Sequence, residues 1–195
     1  MELVSRVYHW QLPLERAALA AAVELAAVGP EDRLLDVATG TGGLLHELAR
    51  SGGRPDEVVG IDSSASMLAI AATGLPAAWR TTMADAQLLP FPDARFDVVT
   101  ACYLLHLLQP RARANAIDEI ARVLRPDGRV VIVTVESRRA ATRAALARVP
   151  RRSGLRRLDP TRELAAAGLR PTRARFVSAG WPSLCVLAVN GPELR

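Results

Sequence analysis

The chain has 195 residues, half of them hydrophobic, with 25 basic against 20 acidic side chains and a formal net charge of +5. That length suits one domain with a substantial core, and its two cysteines, Cys102 and Cys185, exclude a disulfide framework and suit a reducing, cytoplasmic setting. Residues 1–10 lack an export signal, and the longest apolar stretch, 17–28, is mostly alanine and interrupted by Glu24, which excludes a membrane span.

In chain order, the hydrophobic spacing predicts a first helix over 13–28, stopped by Gly29–Pro30. A strand over 33–38 leads into a helix over 43–50, and Ser51–Gly52–Gly53 breaks the chain. A second strand covers 57–61, followed by a helix over 64–72 that Ser63 or Ser64 can cap. Residues 77–83 read as a third strand, 84–95 as a loop, 96–101 as a fourth strand and 111–124 as a helix. Arg125–Pro126–Asp127–Gly128 then turns into 130–135, apolar throughout except Thr134, as a strand buried on both faces should be. A short helix opens at Asp159–Pro160 and runs to 167, and two strands, 173–178 and 184–189, flank Gly180–Trp181–Pro182. This alternation predicts an α/β Rossmann-like, doubly wound sheet of seven strands, mostly parallel with the last strand antiparallel. One domain over 1–195 is expected: a helical segment at 1–30, a binding core at 31–135, and a substrate-side segment with the final strands at 136–195.

The most informative stretch joins the first strand to its helix: Asp36, then Gly40 and Gly42, then the helix pattern. The glycines permit a sharp turn and close ligand approach, and the free N–H groups of the following helix suit an anion such as an amino-acid carboxylate. Asp36 suits an ammonium group, directly or through water. Asp62, ending the second strand, suits a ribose diol. An acid before the glycines fits a positively charged ligand without phosphate, an adenosyl sulfonium above all. The dinucleotide fingerprint of an NAD(P)-type oxidoreductase requires a third glycine or alanine, whereas Gly40–Thr41–Gly42–Gly43–Leu44–Leu45 ends in leucine. Asp36 would also face a pyrophosphate.

Four segments carry a family resemblance: Leu35–Asp36–Val37–Ala38–Thr39–Gly40–Thr41–Gly42, Gly60–Ile61–Asp62–Ser63–Ser64–Ala65–Ser66–Met67–Leu68, Ala84–Asp85–Ala86–Gln87–Leu88–Leu89–Pro90–Phe91 and Leu124–Arg125–Pro126–Asp127–Gly128. In this order they resemble the class I S-adenosylmethionine-dependent methyltransferases, nearest to the small-molecule branch around ubiquinone and menaquinone biosynthesis. The resemblance spans about residues 34–135. It implies S-adenosyl-L-methionine as cofactor and S-adenosyl-L-homocysteine as product. It places Asp36, Gly40 and Gly42 on the methionine side, Asp62 at the ribose, Ser63 and Met67 beside the adenine, and Asp85 with Ala86 at the adenine edge, with Ala38 and Cys102 as further cofactor contacts. Ala38 departs from the family pattern, which has the first of three glycines there.

Methyl transfer from a sulfonium needs alignment more than acid–base chemistry, so the lack of a triad is no objection to an enzyme. His106, beyond the fourth strand, is the candidate base, its alternative a structural histidine. Tyr8, His9 and Trp10 precede the predicted helix, where an aromatic cluster can shield the reacting centre; Tyr8, Trp10, Tyr103 and His106 are the candidate substrate contacts. Cys102 reads as a packed thiol. The three histidines, at 9, 46 and 106, lack metal-ligand spacing, so no metal is expected.

All basic residues are arginine, which coding bias explains as well as nucleic-acid binding does. The arginine-rich run 138–157 reads as a solvated basic segment. Ala101–Cys102–Tyr103–Leu104 lacks the prolines of amino-methylating DNA enzymes, and a lysine tetrad is impossible. A small-molecule substrate is therefore expected over nucleic acid. The alternative is a cofactor-binding protein without methyl transfer, acting as a regulatory or complex partner. Gly180–Trp181–Pro182 and the terminal strands offer a seat for a second copy in a homodimer.

Overall fold

The computed structural model describes residues 2–52, 55, 57–135 and 158–191, with side chains from residue 14 onward. The arginine-rich run 138–157 and the side chains of Tyr8, His9 and Trp10 lie outside the described residues.

Seven strands form one sheet: β1 (Arg33–Val37), β2 (Glu57–Asp62), β3 (Arg80–Met83), β4 (Phe96–Cys102), β5 (Leu124–Val135), β6 (Leu169–Val177) and β7 (Ser183–Asn190), in the order β3-β2-β1-β4-β5-β7-β6. The first five pair in parallel, and β7 runs antiparallel to both β5 and β6. The seven-strand expectation and its single reversed strand are therefore met. The strands alternate their side chains between two buried layers. Leu34, Val58, Val98, Val131 and Val133 meet α1 (Glu2–Ala26) and α2 (Gly43–Arg50) on one face. Leu35, Val37, Val99, Val130 and Ile132 face Ile117 and Ile120 of α4 (Pro110–Val123) and Leu164 of α5 (Thr161–Ala166) on the other. The helix α3 (Ala65–Ala71) rests against β2 and β3.

Local chemistry accounts for most helix ends. Ser64 caps α3, its hydroxyl accepting from the Met67 N–H. Pro110 opens α4 where a missing N–H costs nothing, and the Asp159 carboxylate accepts from the Thr161 N–H at the start of α5. Several boundaries differ from the sequence expectation; β6, for one, begins at Leu169 rather than 173. Pro13 lies inside α1 rather than at its start, so residues 8–10 belong to the helix backbone instead of preceding it. Residues 77–79 form a turn that lets the buried Trp79 donate its indole N–H to the Pro55 carbonyl at 3.3 Å. The turn at 125–128 sits as an irregularity inside β5, with Asp127 at φ +62°, because Leu124 already pairs with Phe96 before register resumes at Arg129.

Small side chains on α1 (Ala18, Ala21, Ala22 and Ala26, all buried) let this helix lie close against the sheet and α2. Arg129 of β5 donates to the Ala26 and Ala27 carbonyls and to Asp32, a cation satisfying the orphan carbonyls at the end of α1. Midway along α1, the Trp181 N–H donates to the Leu14 carbonyl at 2.9 Å. The backbone of the turn offered as a dimer seat is thus engaged with α1 of its own chain. Gly180 makes that approach possible: it sits at φ +78°, and a Cβ there would stand 2.0 Å from the Leu14 oxygen. Gly180→Ala is expected to destabilise the fold by roughly 2–4 kcal/mol, combining left-handed backbone strain with overpacking, a loss that urea unfolding would measure.

Candidate active site

The site grows from one row of residues across three strands. Gly60, Asp36 and Thr100 are register neighbours on β2, β1 and β4, and strand alternation turns Asp36 and Thr100 toward the α1 and α2 face. Asp36 is only 2% exposed. Its two carboxylate oxygens accept separately, Oδ1 from the Thr100 hydroxyl at 2.7 Å and Oδ2 from the Thr39 hydroxyl at 2.6 Å. Thr39 can fold back this far because Gly60 leaves the space: a Cβ there would come within 3.1 Å of the Thr39 hydroxyl oxygen and 3.0 Å of Leu45. Burial pushes the Asp36 carboxyl up to about 6; the two hydroxyls pull it down, and the charge of Asp62 adds to the rise.

Beyond Asp36 the backbone enters left-handed conformations at Ala38 (φ +58°), Gly40 (φ +54°) and Gly42 (φ +82°). Ala38 thus holds a conformation that costs a non-glycine residue roughly 1–2 kcal/mol, which accounts for glycine in the common family pattern. Asp62 anchors this turn. Its Oδ2 accepts from the Gly40 N–H and its Oδ1 from the Ser64 N–H, both at 2.9 Å, while the Thr39 N–H donates to the Ile61 carbonyl. The turn and the second strand end are therefore one rigid unit, with the amino end of α2 opening above it.

A cleft of about 140 Å³ lies at the carboxyl ends of β1, β2 and β4. Of the sequence-derived candidates it gathers Asp36, Ala38, Gly40, Asp62, Cys102 and Tyr103. Its remaining wall comes from Thr39, Thr41, Gly43 and Leu44 of the turn and α2, Leu104 and Leu107 after β4, and Glu15 and Leu19 of α1. Leu107 is 58% exposed and forms an apolar lip. The ionisable side chains facing the cleft comprise three carboxylates, a thiol and a phenol; among the described residues no arginine or histidine lines it.

Cys102 ends β4, and Tyr103 follows it. Burial, and then the nearby Asp36 charge, hold the Cys102 thiol well above its ordinary pKa, so it stays protonated. Tyr103 adopts φ +59°, rare for a bulky residue and stored where surroundings over-determine it. Its N–H donates to the Val133 carbonyl at 2.8 Å. Its hydroxyl meets Ser183 Oγ at 2.9 Å; the Ser183 proton goes to the Trp181 carbonyl, so Tyr103 donates. Burial raises the phenol pKa, and the hydrogen bond with Ser183 only partly opposes it.

Several sequence-derived candidates lie outside the cleft. Ser63 is exposed, and Met67 is buried in α3. Gly42 approaches Ala71 and His46 instead. Asp85 is exposed and closes its own turn, accepting from the Gln87 N–H at 2.9 Å, and Ala86 packs against the core. His106 is 6% exposed, edge-on to the Tyr103 ring at 6.2 Å, with Nδ1 unpaired. Burial lowers its pKa to about 4. Among the residues missed, Glu15 left one trace: it precedes the buried Ala18 and Leu19 by three and four positions, an acid on the apolar stripe of α1.

Among the described residues no helix is long and apolar enough to cross a membrane. The family described as a methyltransferase domain matches residues 34–128. The ubiquinone/menaquinone biosynthesis C-methyltransferase of Stutzerimonas stutzeri (strain A1501) is 38% identical over 116 residues, 57% of this chain and 44% of that protein. The chain thus covers less than half the length of this curated relative. In fold, it superposes on a SAM-dependent methyltransferase from Aquifex aeolicus with a TM-score of 0.75 at 20% identity, over 96% of this chain and 98% of the other. The Burkholderia thailandensis 1,6-didemethyltoxoflavin-N1-methyltransferase, solved with S-adenosylhomocysteine, gives 0.68 at 23% identity over 91% and 80%. With its motifs in order, residues 34–128 matching a methyltransferase domain and the same sheet as solved methyltransferases, the chain resembles the class I S-adenosylmethionine-dependent methyltransferases, the ubiquinone/menaquinone C-methyltransferases among them.

Proposed function

We propose that the protein transfers the methyl group of S-adenosylmethionine to a small-molecule acceptor. The observation that carries this reading is the charge of the cleft: three carboxylates beside a glycine turn and, among the described residues, no facing cation. Such a lining suits a ligand bearing sulfonium and ammonium charges and would repel the pyrophosphate of a dinucleotide. S-adenosylmethionine supplies, when bound, a methyl group already activated on sulfur, so the protein's task is alignment and exclusion of water.

In this reading the Asp62 carboxylate, already fixed by two N–H donors, retains acceptor capacity for the ribose hydroxyls. The amino end of α2 and the turn before it receive the methionine carboxylate. Ala38, Gly40 and Gly42 shape that turn. Ser63, Met67, Asp85 and Ala86 flank the adenine beyond the cleft, and Tyr8 and Trp10 of α1 stand on the acceptor side. Tyr103, its hydroxyl tethered to β7, presents its ring to the acceptor beside Leu104 and Leu107. The protonated Cys102 thiol offers no competing nucleophile. His106, neutral at physiological pH and set behind the Tyr103 ring, supports that ring; a proton that must leave the acceptor departs by another route.

Calorimetry with S-adenosylmethionine, followed by a labelled-methyl screen over phenols, quinols, amines and carboxylic acids, tests the proposal. Absence of cofactor binding overturns it. Tight binding with no labelled product from any class leaves a binding protein instead of an enzyme. Asp62→Ala is expected to weaken S-adenosylhomocysteine binding by about 1.5–3 kcal/mol; unchanged affinity removes Asp62 from the site.

Asp36 offers a test of a different kind. Its folded-state pKa lies above the ordinary carboxylate value because burial disfavours the charge. The folded state therefore holds this proton more tightly than the unfolded chain, and that stabilisation, complete at low pH, fades as pH rises through about 6. Asp36→Asn, uncharged throughout, is expected to exceed the wild type in stability by roughly 1–3 kcal/mol at pH 7.5 and to lose that advantage at pH 4. Denaturant unfolding at the two pH values measures the difference.

A further inference from the structure

The three carboxylates lining the cleft differ in what they have left to offer. Asp36 has an oxygen on each of two threonine hydroxyls and is nearly sealed from solvent. Asp62 holds the turn through two backbone N–H groups. Glu15 reaches the same cleft from α1 and has neither a hydrogen bond nor an ion pair among the described residues. Its neighbour Arg16 turns away toward Glu47 of α2, at 3.8 Å. The groups that feel the Glu15 charge are the Cys102 thiol and the Tyr103 phenol, both protonated. Burial raises the Glu15 pKa, and no cation compensates it. An uncommitted, partly desolvated carboxylate persists at a cost unless a ligand supplies the missing positive charge.

Position narrows what that ligand group is. Leu19, one helical turn after Glu15, shares the cleft wall with Thr41, Gly43 and Leu44 at the amino end of α2. In the function proposed above, that end receives the methionine carboxylate, and the ammonium is joined to it through one carbon. Asp36, the acid that the motif offers for the ammonium, is 2% exposed and already accepts from two threonine hydroxyls, so it sits beneath the turn as a buried floor while Glu15 stands open to the cleft.

We infer that Glu15, not Asp36, is the direct partner of the cofactor's α-ammonium group: a positioning residue that α1 lowers over the methionine end of the cleft. Cofactor binding and the docking of α1 on the sheet are then coupled, since the same helix that buries Ala18 and Ala22 carries the carboxylate.

The inference rests on S-adenosylmethionine being the ligand, and three probes separate the two ideas. S-adenosylmethionine carries sulfonium and ammonium, S-adenosylhomocysteine keeps the ammonium alone, and 5′-methylthioadenosine has neither but retains adenine, ribose and thioether. Affinities of wild type and Glu15→Gln for all three are measured by calorimetry. Loss of about ten-fold or more for both S-adenosylmethionine and S-adenosylhomocysteine is expected, with 5′-methylthioadenosine held within about two-fold. The last arm also reports that the variant is folded. An equal loss for all three probes makes Glu15 merely structural and overturns the inference. A loss confined to S-adenosylmethionine reassigns it to the sulfonium and overturns it too, as does unchanged affinity for every probe, whatever happens to turnover. A wild-type protein that binds none of the three defeats the parent proposal instead.

Discussion

The buried carboxylate of Asp36 is the constraint around which the carboxyl edge of the sheet is arranged. A charge nearly sealed from solvent demands donors, and two threonines supply them, one from the neighbouring strand and one from the turn that follows. Thr39 reaches it only because Gly60 has no side chain. The turn that brings Thr39 back carries three left-handed residues, which Asp62 holds through the Gly40 N–H. The same glycine also makes room for Leu45 of α2, so the acid, the turn and the helix behind it share one narrow space. Burial makes the charged form of Asp36 a burden on stability, so a packed hydrophobic residue would serve folding better. In the function proposed above, keeping an acid there is the usual trade between stability and function.

Much of this was legible in the residues themselves. Alternating apolar runs and helical spacing gave the sheet its strand count, and the short turn before β7 gave the reversed strand its direction, because both signals are local. Asp36, the glycine turn and Asp62 were equally plain, since strand ends and turns announce their chemistry within a few positions. What stayed hidden depends on distant contacts. Pro13 resembled a helix start, although α1 continues through it. The 125–128 turn resembled a break, although pairing of Leu124 with Phe96 keeps it within β5. Asp85 looked like a binding acid, yet in the fold its carboxylate closes its own loop. The position of His106 after a strand was visible; its burial behind Tyr103 was not. Glu15 is a lone acid in an alanine-rich helix, and only the packing of that helix on the sheet gives it meaning.

The strain at Tyr103 joins the front of the site to its back. A tyrosine with positive φ needs restraint from both sides, and it has the Val133 carbonyl on its amide and Ser183 on its hydroxyl. Ser183 in turn is fixed by the Trp181 carbonyl, and the Trp181 amide is fixed by α1. One unbroken chain of hydrogen bonds therefore ties the ring facing the cleft to the reversed strand and to the first helix.

That tie has a temporal side. Leu14 and Trp181 are far apart in sequence, and β7 must slip between β5 and β6 before they can touch. Contacts so remote in sequence form late, because closing so large a loop exacts its entropy before any reward arrives. A nascent chain released only as far as β5 would already hold the glycine elbow, yet leave the aromatic wall slack. Closure of the aromatic wall thus waits on insertion of the reversed strand, a step later than the forming of the glycine elbow.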